Sequence, residues 1–300
     1  MLDIIKTKKF SFALSGAFFL VSLLFLLVFG LQLGIDFTGG SSMQIKFTDS
    51  RPEVQQIKQS LSSKNLGSLV VQPTKDKSMI IKTSKFLTED EHRQVLGMLE
   101  DDFGSDKNEL IEEKINTIGP AISSELKENS IYAAIGVVLA IIGYIAYAFR
   151  KVSKPVDSWK YGLTAIFALI HDVTITMGVF SLITYFYSVE INIPFVVAML
   201  TILGYSVNDT IVVFDRIRDR LAKLGANKFE QSVTEGVNYS LVRSINTSLT
   251  TLVVLFSLFI FGGNSIHYFS LALIIGVALG TYSSIFLASP ILVEWKRRFS

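Results

Sequence analysis

A carboxylate lies inside a stretch of chain that is otherwise apolar enough to cross a lipid bilayer. The stretch runs from Ile193 to Phe214 and contains Asp209, with Asn208 directly before it and Tyr205 four residues earlier. A charged side chain near the middle of a bilayer costs about 2.5–3.5 kcal/mol on insertion scales, so such residues usually pair, face a helix bundle, or handle an ion or a proton. Asp209 is therefore the first candidate functional residue.

Polar side chains also interrupt two other apolar stretches. His171 and Asp172 are adjacent in one of them. Another begins at Arg243, and Asn246 and Thr247 follow three and four residues later, so these three side chains share one face of a helix. Because lipid offers such groups no hydrogen-bond partner, we expect this face to meet other helices or water.

The simplest arrangement brings Asp209 opposite Arg243, with His171 and Asp172 nearby. If the distance between carboxylate and guanidinium changes with conformation, the affinity of Asp209 for a proton changes with it. One charge crossing the membrane potential is worth about 2.3 kcal/mol per 100 mV, enough to bias a conformational equilibrium. Two alternatives stay open: a static ion pair that fixes helix packing, and an Arg243 side chain that extends to the membrane surface.

The elements that must position these residues are long apolar segments. Half of the 300 residues are hydrophobic, and the mean hydropathy is +0.46. These values and the run lengths predict an α-helical polytopic membrane protein with six transmembrane helices. A net charge of +2, without a basic patch that carries aromatics, argues against nucleic acid binding, and the lack of Cys excludes disulfides and Cys-ligated metals. The predicted spans cover about residues 11–31, 131–149, 161–187, 193–214, 244–262 and 266–290.

Basic residues predict the orientation of the chain. Lys and Arg occur at both termini and in the loops after the second and fourth spans, whereas the short loops around Glu190 and Asn264 have none. Because Lys and Arg mark the cytoplasmic side, we expect both termini in the cytoplasm. The first apolar run, of about 20 residues, exceeds a signal-peptide core and lacks a clear A-x-A site, so we expect an uncleaved anchor. The predicted divisions are 1–33 (cytoplasmic N-terminus and helix 1), 34–129 (extracytoplasmic domain) and 130–300 (helices 2–6 with cytoplasmic loops and C-terminus).

The extracytoplasmic segment is predicted to form a small α+β domain between helices 1 and 2. Ser50 and Glu53, and again Thr88 and Glu91, have the spacing of a helix-capping box. The predicted order, β-α-β-β-α-β, is the ferredoxin-like arrangement. No catalytic constellation occurs, and His92 is expected to be a solvated surface residue. The predicted strands cover residues 41–48, 69–72, 79–83 and 110–118, the predicted helices end near 63 and 103, and a polar turn is expected at 74–77.

Several motifs, in a fixed order, resemble those of the SecD/SecF family. GIDFTGG at 34–40 follows the first span, and LTILGYSVNDTIVVFDRIRDRL at 200–221 is similar to the SecF version of the fourth-span motif rather than the SecD version. IGPAIS at 118–123, ALIHDV at 168–173 and SVTEGVNYSLVRSINTSLTT at 232–251 also match. The resemblance extends over essentially the whole chain.

The resemblance implies a set of partners rather than an enzyme. Family members of the SecF type pair with SecD in a twelve-span assembly that resembles the resistance-nodulation-division (RND) transporters. They join the SecYEG channel, often with YajC, in the bacterial plasma (inner) membrane. The assembly uses the proton-motive force to help export unfolded polypeptides, and the resemblance implies no cofactor and no metal. Contact with membrane lipid and no contact with nucleic acid are expected.

The resemblance also assigns roles to particular residues. Asp209 and Arg243 match the positions taken in the family as proton-coupling residues, and His171 and Asp172 match a further family motif in the third span. The motif residues Gly34, Asp36, Gly39 and Gly40, and the junction at Gly119 and Pro120, are expected to shape turns or to act as hinges between the spans and the outer domain.

Three other functions fit parts of the sequence. An intramembrane aspartyl protease would use Asp172 and Asp209 as a dyad, but its GxGD-type context is absent, because Val-Asn precedes Asp209. A stand-alone proton-driven RND-type exporter of small molecules or lipids would need a homo-oligomer, since this chain has one outer domain and six spans. A third possibility is a structural subunit whose membrane charges only stabilise an interface.

Overall fold

The computed structural model describes residues 3–74, 77–149, 156–187 and 189–299. The loop residues Arg150, Lys151 and Lys154, which contributed to the predicted orientation, lie outside these ranges, as do residues 75 and 76 of the predicted polar turn. The elements are α1 (Ile4–Phe29), α2 (Ile35–Thr38), β1 (Gly40–Phe47), α3 (Val54–Leu61), β2 (Leu69–Pro73), β3 (Ser78–Thr83), α4 (Glu89–Phe103), β4 (Leu110–Ile118), α5 (Pro120–Ala148), α6 (Ser158–Tyr187), α7 (Ile193–Leu224), α8 (Phe229–Phe261), α9 (Asn264–Ser283), a π-helical turn (Ser284–Ala288) and α10 (Ser289–Phe299).

Six helical segments in the described ranges are long and apolar enough to cross a membrane. They are α1, α5, α6, α7, α8 with the short turn before it, and the continuous segment from α9 through the π-helical turn into α10. A four-stranded antiparallel sheet lies between the first and the second of them. The expected fold class, six transmembrane helices with a small ferredoxin-like domain between helices 1 and 2, is confirmed.

Two compact units make up the chain. One comprises the residues up to Gln32 together with those from Tyr132 onward, and the other comprises Leu33–Ile131. We refer to them as the helical unit and the α+β unit.

In the α+β unit, buried and less buried side chains alternate along β1, one of the two central strands of the sheet. The sheet order is β2-β3-β1-β4, and β1 pairs antiparallel with both β3 and β4. Met43, Ile45 and Phe47 of β1 are fully buried, as expected when every second side chain points to one face of the sheet. Helices α3 and α4 add their apolar stripes to this core, including the buried pair Val95 and Leu99 of α4. The strand order and helix positions are those of a ferredoxin-like fold.

One predicted helix start is wrong. The sequence spacing favours Ser50 as the N-cap of α3, but the cap is Glu53, whose backbone N–H donates to Gln56 Oε1 at 2.9 Å. Ser50 is instead held by Asn108, which accepts from the Ser50 amide at 3.2 Å and donates to its carbonyl at 2.9 Å. A contact between residues far apart in sequence therefore overrides the local capping signal.

His92 is also placed differently from the expectation. Its side chain is 8% exposed, because His92, Val95 and Leu99 lie on the same face of α4 and that face packs on the sheet. The imidazole Nε2 lies 3.0 Å from Oε1 of Glu112 on β4. His92 is therefore part of the contact between a helix and an edge strand, not a solvated side chain.

The capping box at the start of α4 is confirmed. Thr88 Oγ1 accepts from the Glu91 amide at 3.4 Å, and the Glu91 carboxylate accepts from the Thr88 amide at 3.1 Å. Lys85 donates to Glu91 Oε1 at 2.6 Å, and this hydrogen bond lowers the pKa of the Glu91 carboxyl. The ionised side chain satisfies one of the backbone donors that a helix start leaves unpaired.

We expect Thr88→Ala to lower the local stability of α4 by about 1 kcal/mol, because the first turn loses its side-chain acceptor. Amide hydrogen exchange of the full chain should show faster exchange in the first turn of α4. Thr88→Ser keeps the hydroxyl and serves as the matched control, for which exchange should be unchanged. Equal exchange in the alanine variant and the wild type would contradict a capping role.

Close contacts between helices define the core of the helical unit. Half or more of the residues in the apolar windows of α6, α7 and the last span are buried, compared with 6% for α5. Small residues occur at the crossings: a Cβ added to Gly236 of α8 would lie 2.7 Å from the Ile217 Cα of α7, and one added to Gly280 of α9 would lie 3.1 Å from the Ser206 Cα. Small side chains let helices approach closely where lipid supplies no hydrophobic driving force.

Gly236→Ala should destabilise the helical unit by about 1–3 kcal/mol, because the new methyl group overlaps the α7 backbone and forces α8 away. Thermal unfolding of the full chain in detergent would show a lower Tm. Gly204→Ala is the matched control: an added Cβ at this helical position meets nothing within 4 Å, so its Tm should equal or exceed that of the wild type. A Gly236→Ala protein as stable as the control would show that the crossing tolerates a side chain.

Candidate functional site

The Asp209 carboxylate is buried between three helices and is bonded by hydroxyl groups. Asp209 lies on α7 and is 7% exposed. Its Oδ1 accepts from Ser244 Oγ of α8 at 2.6 Å, and its Oδ2 accepts from the hydroxyl of Ser284, the first residue of the π-helical turn. Both oxygens of the carboxylate are thus occupied, and each ties α7 to a different neighbouring helix.

The expected pairing of Asp209 with Arg243 is absent. Among the described residues, the hydrogen bonds of the Asp209 carboxylate go to Ser244 and Ser284, and no ion pair joins it to Arg243. Arg243 is exposed on the outside of the helical unit, and so are Asn246 and Thr247. The reason is helical geometry: neighbouring residues on α8 point about 100° apart, so Ser244 faces the bundle while Arg243 faces outward.

Arg243 does not begin its helix either. The predicted fifth span begins near residue 244, whereas α8 begins at Phe229 and continues without interruption to Phe261. No Pro occurs between these residues to break the helix. Arg243 consequently lies in the interior of a long helix rather than at its end.

Asp172 and His171 form a second buried polar group. Asp172 is 0% exposed, and its Oδ2 accepts from Ser206 Oγ of α7 and from Ser283 Oγ of α9, both at 2.6 Å. Its Oδ1 lies 2.9 Å from the Nδ1 of His171, and the His171 ring stacks against the ring of Tyr282. Asp172 therefore joins α6 to α7 and α9, and Asp209 joins α7 to α8 and the π-helical turn.

The two carboxylates are connected through neighbouring residues of the chain. Ser206 lies three residues before Asp209 on α7, and Ser283 directly precedes Ser284 where α9 passes into the π-helical turn. Single π-helical turns inside α-helices are rare and frequently occur at functional sites. Asp172 and Asp209 therefore bond to serines that are close together in the chain on α7 and at the end of α9, and not to each other.

Tyr205 and Asn208, the other two candidate residues of α7, face different sides of the helix. The Tyr205 hydroxyl donates to Ser248 Oγ of α8 at 2.9 Å, and the Ser248 hydroxyl also bonds to Thr281 of α9. This group lies one helical turn away from the Asp209 contacts. Asn208 is exposed and points away from them.

The glycine motif forms a tight turn at the start of the α+β unit. Residues 34–38 include the four-residue helix α2, and Gly39 and Gly40 have φ of +71° and +125°. A Cβ on Gly40 would overlap the Thr83 carbonyl oxygen. Both glycines are therefore required by the backbone. Asp36 lies in the first turn of α2.

The Gly119–Pro120 junction connects β4 to α5. An added Cβ on Gly119 would make only ordinary contact, at 3.6 Å, with the Phe86 ring, and the Ser123 hydroxyl donates to the Pro120 carbonyl at 3.1 Å. Pro120 is the first residue of the helix, a position where its missing N–H is not needed.

Sequence reasoning missed the direct partners of both carboxylates. Ser206 and Ser244 belong to no motif that predicts a contact, and Ser283 and Ser284 are hydroxyls in an apolar run, which is a weak signal. A usable pattern is the column Ser240, Ser244 and Ser248, spaced by four residues and entirely buried. In the described part of the chain, no group of three or more His, Cys, Asp or Glu side chains could hold a metal ion.

Comparisons with known proteins agree with this architecture. The family model for the C-terminal part of the protein export membrane proteins SecD and SecF matches residues 99–298, and the model for the SecD/SecF GG motif matches residues 24–50. The protein translocase subunit SecF of Thermobaculum terrenum is 39% identical over 99% of this chain and 95% of its own length. That of Haemophilus influenzae is 36% identical over 97% of this chain and 85% of its own length.

Solved structures show the same fold. The crystal structure of SecDF from Thermus thermophilus, a translocon-associated membrane protein, matches with a TM-score of 0.84 and 29% identity. The match covers 99% of this chain and 39% of the solved chain, so this chain spans well under half of that protein. SecDF in a super-membrane-facing form matches with a TM-score of 0.69 and 31% identity over the same share of each chain.

Fold and site together define a multi-pass membrane protein with hydroxyl-bonded carboxylates inside its helix bundle. The chain belongs to the SecD/SecF family of protein export membrane proteins, within the SecF group of that family.

Ser244→Ala should destabilise the helical unit by about 1–3 kcal/mol, because Asp209 Oδ1 is left buried without a donor. Chemical or thermal unfolding in detergent measures the change. Thr247→Ala is the matched control, since it removes a hydroxyl from an exposed position of the same helix and should leave stability unchanged. Equal stability of the two variants would mean that the Ser244 hydroxyl is not needed to hold the Asp209 carboxylate.

Proposed function

We propose that this chain is the SecF-type half of an accessory complex of the Sec translocase, and that the complex uses the proton-motive force to complete export of unfolded polypeptides. The observation that carries the proposal is the Asp209 carboxylate, which is buried in a membrane-spanning bundle with hydroxyl partners and no ion pair to a cation in the described ranges. An ionised group in such a place is costly. Uptake of a proton removes that cost.

Protonation of Asp209 would change how three helices are joined. In the ionised state both oxygens accept, one from α8 and one from the π-helical turn. A protonated carboxyl has one O–H donor and weaker acceptors, and a serine hydroxyl can rotate to accept from it. The hydrogen bonds from Ser244 and Ser284 therefore depend on the charge of Asp209. In this proposal, proton binding and release shift the packing of α8 and α9 on α7.

The outward polar face of α8 supports a partner within the membrane. Arg243, Asn246 and Thr247 are exposed on a helix that lies among apolar spans. Such groups would have no partners in lipid. A SecD-type subunit packed on this face would cover them, and the match of this chain to 39% of the SecDF chain of Thermus thermophilus supports that choice. Arg243 then acts at the interface, where a change in packing alters its distance to a carboxylate of either subunit.

The rest of the assembly is proposed from the family. The complex would lie in the bacterial plasma (inner) membrane, join the SecYEG channel and associate with YajC. Both termini would be cytoplasmic, and the α+β unit would lie outside, where it contacts the emerging polypeptide. Motions of the spans would reach this unit through the turn at Gly34–Gly40 and the junction at Gly119–Pro120. The proposal includes no cofactor, and the proton gradient is the energy source.

Two other functions are less well supported. An aspartyl dyad needs two carboxylates that share a proton, but Asp172 and Asp209 each bond to their own serines, which favours transport over proteolysis. A stand-alone RND-type exporter of small molecules or lipids would have to cover the α8 face with a second copy of this chain. Purification from membranes distinguishes the two assemblies: a SecD-type partner supports the translocase, and a homo-oligomer supports the exporter.

The test is export into vesicles that carry this chain and its SecD-type partner, after ATP-driven insertion has finished. Asp209→Asn keeps the size and the acceptor of the side chain but cannot bind a proton. We expect gradient-dependent export to fall to the level measured without a gradient, while the complex still assembles. Asp215→Asn is the matched control, because Asp215 lies on the same helix and pairs with Arg218 at 2.6 Å outside the apolar stretch.

If gradient-dependent export is unchanged in Asp209→Asn, the proposal is contradicted, because the buried charge would then be structural. Loss of export in both aspartate variants would point to general damage to α7 instead. Copurification of the SecD-type partner in each preparation separates loss of coupling from loss of assembly.

A further inference from the structure

We propose that the His171–Asp172 pair is a second proton-binding site, coupled to Asp209 through the serines at the start of the π-helical turn. The inference rests on the proposed function in that both sites would belong to one proton-driven device. The observation behind it is a fully buried carboxylate beside a buried imidazole, within 2.9 Å of each other. The role described above for Asp209 does not use either group.

The charge of the pair is not compensated by its surroundings. The groups that face it are hydroxyls and one phenol: Ser206 from α7, Ser283 and Tyr282 from α9, with Ser15 of α1 bonded to the Tyr282 hydroxyl at 3.0 Å. Asp209 of α7, whose carboxylate bonds to Ser284 next to Ser283, is a second acidic group in the same bundle. In the described ranges no Lys or Arg forms an ion pair with Asp172.

A proton is the cation that this geometry accommodates. With a neutral imidazole and an ionised carboxylate, the pair carries one negative charge inside the bundle, and that is costly. One added proton, held on the imidazole or on the carboxyl, makes the pair neutral without any rearrangement of the helices. The carboxylate Oδ2 already accepts two hydroxyls, and its Oδ1 faces the imidazole Nδ1.

His171 Nε2 supplies the second observation. The atom is buried without a hydrogen-bond partner among the described residues, on a side chain that is 5% exposed. A neutral imidazole carries an acceptor at one nitrogen and a donor at the other. When Nδ1 donates to Asp172, Nε2 is therefore a bare acceptor. It can take up a proton without first breaking a hydrogen bond, unlike the carboxylate oxygens beside it.

The two sites share the residues that would couple them. Ser283 donates to Asp172 and the adjoining Ser284 donates to Asp209, while Ser206 lies on the same helix as Asp209 and donates to Asp172. Any movement of the π-helical turn thus changes the donors of both carboxylates. Two ionised carboxylates in one bundle also repel each other. Binding of a proton at one site therefore changes the occupancy of the other.

Infrared titration of the full chain in lipid tests the proposal, because protonated and ionised carboxyl groups absorb separately. The comparison uses wild type, Asp172→Asn, Asp209→Asn and the double variant over about pH 5–8, where an imidazole also titrates. We expect Asp172→Asn to remove one titrating carboxyl signal. Asp209→Asn should retain that signal with a shifted midpoint, and the double variant should lack both.

The serines provide a control that leaves the Asp172 carboxylate itself unchanged. In the Asp209→Asn background, Ser283→Ala should shift the midpoint of the remaining carboxyl signal. Ser270→Ala should not, although Ser270 is equally buried on the same helix and its hydroxyl has no partner among the described residues. This comparison also decides the matter if Asp172→Asn fails to fold.

An Asp172→Asn titration that matches the wild type, or equal midpoints for the two serine variants, would overturn the inference. The readout does not require transport. If Asp209→Asn exports normally and Asp172→Asn removes a titrating carboxyl signal, the proposed function is rejected but the second proton-binding site is supported. If Asp209→Asn loses gradient-dependent export and Asp172→Asn removes no titrating carboxyl signal, only the second proton-binding site is rejected.

Discussion

The structure of the helical unit depends on the cost of burying a carboxylate among apolar helices. Asp172 and Asp209 can be accommodated only where other side chains donate to them, because an unpaired charge at this depth is costly. Serines meet this need, and they come from three different helices. The carboxylates consequently fix which faces of α6, α7, α8 and α9 meet, so the polar site and the helix packing are one structural feature.

Serine is suited to this position by size as well as by chemistry. At Gly280, a side chain on α9 would press on the Ser206 backbone of α7, and Gly236 of α8 lies still closer to the α7 backbone. Larger donors such as Lys or Arg would hold these helices apart. A short hydroxyl reaches the carboxylate across the narrow gap and can also rotate to accept. The close packing therefore favours a short hydroxyl donor over a longer cationic one.

The two polar faces of α8 have different surroundings. Ser244 faces the bundle and completes the Asp209 site, while Arg243, one residue earlier, faces outward. The inner face belongs to this chain alone. The outer face carries polar groups that are exposed in this chain, and in the proposed function a partner subunit covers them. In the proposed function, α8 would transmit a change at Asp209 from its inner face to its outer face, where the partner binds.

The sequence by itself determined the class of the protein, because run length, periodicity and Asp209 within an apolar stretch are local properties of the chain. It also predicted the six spans, the ferredoxin-like order and the Thr88 cap, which depend on neighbouring residues. Only the tertiary structure decided that Ser244 rather than Arg243 faces Asp209, that His92 is buried, and that Asn108 displaces the cap predicted at Ser50. These outcomes depend on how helices rotate and which distant segments meet, and hydropathy does not encode rotation when a helix carries two polar faces.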